Sequence, residues 1–109
     1  MGILDDFLAD LDGFEWDAGN SDKNWLQHLV RQAEAEQALL NRPLVCAVDL
    51  KHSQREPRFM ALGQTDSKRQ LAIVFTVRGR RVRVISARPL SRPERKVYAK
   101  AQTSPETHS

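Results

Sequence analysis

The chain has 109 residues, 40% of them hydrophobic and 28% charged, which places it among globular single-core domains and excludes a disordered chain. No apolar run approaches the roughly 18 residues of a membrane helix, and a single cysteine, Cys46, excludes an intrachain disulfide. The net charge of +3 conceals an asymmetry: residues 1–22 carry seven acids and no base, leaving 17 bases against seven acids in the body, which suits a phosphate-rich or acidic partner.

Taken in chain order, Ile3, Leu4, Phe7, Leu8 and Leu11 recur at helical spacing among aspartates, which predicts a short amphipathic helix ended by Gly13. Acids stand here where a secretory signal would carry bases, so a cytoplasmic protein is expected. Phe14, Glu15 and Trp16 read as an edge strand. Asn20 and Ser21 suit the cap of a helix whose apolar stripe is Trp25, Leu26, Leu29, Val30 and Ala33, with Asn24 and His28 together off that stripe. A second helical segment over 34–40 buries Ala35, Ala38 and Leu39 and stops before Pro43, with a bend at Arg31 and Gln32.

Strand patterning begins at Leu44. Residues 44–48 form one run, with Cys46 as a small core residue, and 58–63 a second, separated by a polar loop that holds His52. A polar turn over 65–69 leads to 71–77, an unbroken apolar run that reads as a strand covered on both faces. Arg78, Gly79 and Arg80 interrupt it as a hairpin connection, and Arg81, Val82, Arg83 and Val84 then alternate. Period-two geometry puts the valines on one face and the guanidinium groups on the other, so the ligand is expected to be anionic. Pro89 ends the strand. Ser91 and Glu94 have the spacing of a capping box for a basic helix over 92–101, and a disordered tail is expected over 102–109. The expected fold is α+β, a small antiparallel sheet with two N-terminal helices and one C-terminal helix. Residues 1–13 form an acidic extension to a domain over 14–101.

The sequence contains no H-E-x-x-H, no paired cysteines, no P-loop and no dinucleotide fingerprint, so no metal or nucleotide cofactor is expected. What remains is a set of Lys, Arg, His, Glu and Asn, the set used by a small metal-free ribonuclease. Two other readings fit the same residues: a non-catalytic basic module that binds nucleic acid, and a basic scaffold that docks an acidic protein.

A set of ordered motifs carries a resemblance. FEWD at 14–17, GNxxKNxxxHxV over 19–30, NRPL at 41–44, D-x-x-H-S at 49–53, E-x-R-x-x-x-L-G over 56–63, F-T-x-R at 75–78, R-V-I-S-A-R at 83–88 and R-x-E-R-x-x-Y at 92–98 resemble the BrnT family. The resemblance implies a RelE-like fold and a type II toxin, an endoribonuclease bound and silenced by a BrnA-type ribbon-helix-helix antitoxin. It further implies a heterotetramer that reaches operator DNA only through the antitoxin. Metal-free RNA cleavage needs a base for the 2′-hydroxyl, cations for the phosphorane and an acid for the leaving oxygen. Lys23 and His28 are the acid and base candidates, and Arg58 and Arg88 complete the catalytic set. Arg83, Asn24, Arg78 and Arg81 are the substrate-binding residues, with Arg83 a third phosphate clamp beside Arg58 and Arg88. Arg92, Arg95 and Lys96 are expected against antitoxin or RNA backbone, and Asp17, Asn41 and Ser86 are read as turn, cap and strand pairing. The chain departs from the family at Gln27, where a lysine is usual, at Leu29, where glycine or lysine is usual, and in its acidic first dozen residues. That leader reads either as a frayed segment from a displaced start or as an acidic cover over the basic face.

Overall fold

The computed structural model describes residues 13–17, 19, 28–49 and 56–103. At its centre β4 (Gln70–Arg78) and β5 (Arg81–Pro89) form the expected hairpin. Arg78 belongs to the strand and pairs with Arg81, which leaves a two-residue turn. Gly79 makes that turn at φ +62°, in a left-handed region that costs other residues roughly 1–2 kcal/mol. β3 (Arg58–Gln64) lies antiparallel beside β4, and β2 (Val45–Val48) beside β3. β1 (Gly13–Glu15) closes the other edge, giving the order β1-β5-β4-β3-β2.

The sheet departs from the all-antiparallel expectation. β1 runs parallel to β5, with Phe14 opposite Val82 and Glu15 opposite Arg83. No hairpin ties this strand to a neighbour, so its direction follows from where the chain must go next, which side-chain periodicity does not encode. Two helices are present among the described residues, α1 (Gln32–Leu40) and α2 (Arg92–Thr103). The first N-terminal helix expected from sequence falls largely on 20–27 and, like the leader, lies outside the described residues. The C-terminal helix runs two residues past the expected Ala101, to Thr103.

The two helices pack on opposite faces. Ala35, Ala38 and Leu39 of α1 join Val30, Ala61, Leu71, Ile73, Phe75, Val82, Val84 and Ala87 in the main core, with Phe14 and Trp16 packed against it. Strand alternation sends Leu62, Ala72 and Met60 to the other face, where Leu90 and the fully buried Tyr98 of α2 cover them. Helix α1 rests directly on β3: a Cβ added at Gly63 would clash with the Ala38 carbonyl oxygen, so only glycine fits. On the α2 side the Tyr98 hydroxyl donates to the Pro43 carbonyl at 2.7 Å, which ties the helix to the chain entering β2.

One irregularity matters for function. Phe75 pairs with Val84 but Val74 pairs with Ser86, so Ile85 is an extra residue, a β-bulge in β5. Beyond it the alternation is re-phased. Arg81 and Arg83 would otherwise share their face with Ile85 and Ala87; the bulge puts Ser86 and Arg88 there instead.

Candidate active site

The face that carries α2 has a second half. Leu62 and Ala72, beneath α2, form one cross-strand pair, and two pairs farther along the same face lie Arg58 and Thr76. Thr76 in turn pairs with Arg83, and Arg83 with Glu15 of β1. On the other side the Asp49 amide donates to the Arg58 carbonyl at 2.7 Å, which extends the β2–β3 ladder by one residue. A single row therefore crosses the whole sheet in the order Asp49, Arg58, Thr76, Arg83, Glu15.

Thr76 is fully buried and donates its hydroxyl to the Pro57 carbonyl at 2.6 Å, so it forms the short floor between two long cations. Neighbouring strands are roughly 4.8 Å apart, so the Arg58 and Arg83 backbones stand about 10 Å from each other. That span lets two guanidinium forks converge on one tetrahedral anion above the threonine.

The arginines are accompanied by acids. Arg83 Nη1 lies 3.1 Å from Asp17 and 3.8 Å from Glu15, so the expected turn residue Asp17 also pairs with a candidate site arginine. One row along, Arg78 grips the Glu56 carboxylate through Nη2 at 3.1 Å and Nε at 3.3 Å. That pairing holds the Glu56 carboxyl below its usual range, helped by the positive charges of Arg58 and Arg83, and it raises Arg78 in return. The supposedly basic face is thus a chequerboard of guanidinium and carboxylate groups. Arg81, opposite Arg78, is exposed at its rim.

The remaining candidates are placed differently. Arg88 shares the face but binds Glu94 through two bonds of 2.7 and 2.9 Å. Glu94 is also half of the expected capping box, accepting from the Ser91 amide at 2.8 Å while its own amide donates to Ser91 Oγ at 3.4 Å. The Arg88 hydrogen bonds pull the Glu94 carboxyl down to about 2, against the opposing effect of burial. His28 is tied by its backbone to the opposite end of the sheet. Arg69 donates to the His28 carbonyl at 3.2 Å and to the Leu29 carbonyl at 2.8 Å while pairing with Glu34 at 3.1 Å. Gln70, beside Arg69, is six residues or roughly 20 Å along β4 from Thr76. Leu29 itself adopts φ +54°, a left-handed conformation that favours glycine. Lys23 and Asn24 lie outside the described residues, as does His52. Asn41 caps α1 as expected and also donates to the Gln64 carbonyl at 3.0 Å and to Asp66 at 2.9 Å.

Sequence reasoning passed over Glu56, Glu15 and Thr76. Glu56 stands in the bend just before β3, where strand alternation does not reach, so no periodic signal marked it. No group of three His, Cys, Asp or Glu side chains suited to a metal occurs among the described residues, and no helix there is long and apolar enough to cross a membrane.

The sequence profile of the family described as the ribonuclease toxin BrnT of type II toxin-antitoxin systems matches residues 16–94. Among solved structures, the 1.1 Å crystal structure of the Brucella abortus ribonuclease toxin BrnT is similar at 24% identity and a TM-score of 0.52, over 73% of this chain and 97% of that one. No curated protein sequence matches the chain.

Proposed function

Because the chain belongs to the BrnT family of ribonuclease toxins of type II toxin-antitoxin systems, we propose that Arg58 and Arg83 form the phosphate clamp of its endoribonuclease site. The observation that carries this reading is the row in which both arginines flank the buried Thr76. Guanidinium groups suit it because they stay protonated and present two parallel donors to a phosphate. The reaction is attack of a 2′-hydroxyl on the adjacent phosphorus without a metal, and the two arginines stabilise the charge that builds on the phosphorane.

Arg78 and Arg81 extend the cationic path for the RNA strand on the same face, with Asn24 the remaining substrate-binding candidate. Arg88, expected in the catalytic set, is assigned instead to holding α2 through Glu94. Lys23 and His28 are the acid and base candidates of the sequence, with His28 held at the distant Arg69 end. The partner is a BrnA-type ribbon-helix-helix antitoxin in a cytoplasmic heterotetramer, reaching operator DNA through the antitoxin alone. Arg92, Arg95 and Lys96 on the exposed side of α2 are the surface offered to it or to RNA backbone.

The test is to induce the chain without its antitoxin and follow growth and RNA integrity together. Arrest with fragmentation of cellular RNA is expected. Normal growth and intact RNA at good expression of folded protein overturn the reading.

A further inference from the structure

A clamp of arginines holds a phosphate but does not remove the 2′-hydroxyl proton. Lys23 is outside the described residues and His28 is tied to the Arg69 end. Among the described residues the carboxylates in or beside the row are Asp49, Glu15, Asp17 and Glu56. Glu15 and Asp17 both face Arg83, at the β1 edge. Asp49 stands at the opposite edge, beyond Arg58. Glu56 differs from these three. It is held by Arg78 of β4 through two bonds and stands two residues before Arg58 at the start of β3, and the positive charges of Arg58 and Arg83 also act on it.

Building on the clamp reading, we propose that Glu56 is the general base of RNA cleavage. A carboxylate has about four lone-pair positions and Arg78 uses two of them, which leaves Glu56 free to accept a proton while its orientation stays fixed. In the step, the Glu56 carboxylate takes the proton of the 2′-hydroxyl as the 2′-oxygen forms its bond to phosphorus. The bond from phosphorus to the 5′-oxygen breaks, and that oxygen leaves with a proton from water. The products are a 2′,3′-cyclic phosphate and a 5′-hydroxyl, and Glu56 returns its proton to solvent.

Arg78 binds the carboxylate directly, and its charge together with those of Arg58 and Arg83 favours the ionised form. The base is therefore ready at any pH above the ordinary glutamate value of 4.5. A histidine base, with an ordinary value of about 6.5, would lose tenfold per pH unit below that point.

The experiment uses the full chain, a mixed-sequence RNA for cleavage, and the same sequence as a 2′-O-methyl oligonucleotide for binding. Glu56→Gln keeps shape and a hydrogen bond to Arg78 but accepts no proton. Cleavage is expected to fall by about 10² to 10⁴-fold with binding of the 2′-O-methyl strand within threefold of wild type. Glu56→Asp is expected to recover part of the loss. Wild-type cleavage is expected to stay level between pH 7 and pH 5, a readout that stands even if the variants fold poorly. Cleavage by Glu56→Gln within threefold of wild type, a parallel loss of binding, or a decline in wild-type rate below pH 6.5 each overturns the proposal. So does retained cleavage in Glu56→Gln beside a loss in Asp49→Asn, which moves the base to the other edge. A wild-type chain that cleaves no RNA is a separate result and overturns the clamp reading itself.

Discussion

Arg83 and Arg88 stand on one strand and one face, and each is bound by carboxylate, yet the two pairings are built differently. Arg88 meets Glu94 six residues away, through two bonds to a carboxylate whose side chain is only 19% exposed and which already caps α2. Arg83 meets Asp17, which follows the three-residue strand β1 and is 56% exposed, at 3.1 Å. In the first pair the acid is the anchored member and the bond serves the fold. In the second the acid is the solvent-facing member, the one that a phosphate would replace under the proposed clamp. Position on a basic face therefore says less about function than the burial of the counter-charge.

The widest separation between the two pairings should come from alanine at the arginines. Arg58→Ala and Arg83→Ala are expected to lower RNA cleavage by about a hundredfold or more with melting temperature nearly unchanged. Arg88→Ala should do the reverse, costing about 1 to 2 kcal/mol of stability while the folded fraction keeps its activity. Denaturant titration beside cleavage assays separates these outcomes. A comparable loss of activity in folded Arg88→Ala would erase the distinction.

The next effect is one of pH. Glu94 has a folded value of about 2 against an ordinary 4.5, so its contribution is complete above pH 4.5 and is lost as pH falls towards 2. Glu94→Gln should accordingly be less stable than wild type by about 1 kcal/mol at pH 7, after allowance for solvent screening, and equal to it at pH 2. Thermal melts at the two pH values measure this directly, and a gap that persists at pH 2 assigns the loss to something other than the ion pair.

The smallest expected change is at Asp17. Exposed ion pairs contribute about 0 to 1 kcal/mol, so Asp17→Asn should tighten RNA binding by roughly two- to fivefold at low salt and by less at high salt. Weaker binding in this variant would mean that Asp17 orients Arg83 rather than competing for it.

Local patterning made much of this fold legible. The apolar run before Gly79, the alternation after it, the stop at Pro43 and the capping box at Ser91 and Glu94 all correspond to elements in the structure. Features that depend on packing were not legible. Nothing in Phe14, Glu15 and Trp16 states that their strand runs parallel to β5, because a short edge strand carries the same pattern in either direction. Helices on opposite faces follow from Gly63 admitting α1 on one side and Tyr98 filling the other. At the candidate site the arginines were visible as residue types, but their counter-charges were not. Glu56, Glu15 and Asp17 reach them only through strand pairing between distant segments.

The extra residue at Ile85 turns β5 into two strands with opposite parity, spliced end to end. Each half obeys its own rule of odd and even, and the splice alone lets a helix staple and an arginine row occupy a common surface. The spacing between positions 83 and 88 thus acts like a reading frame for side chains. Changing a letter within it alters one contact, whereas adding or removing a letter exchanges inside for outside along everything that follows, delivering the Arg88 charge into the oil beneath α1 and Ala87 into its place opposite Glu94.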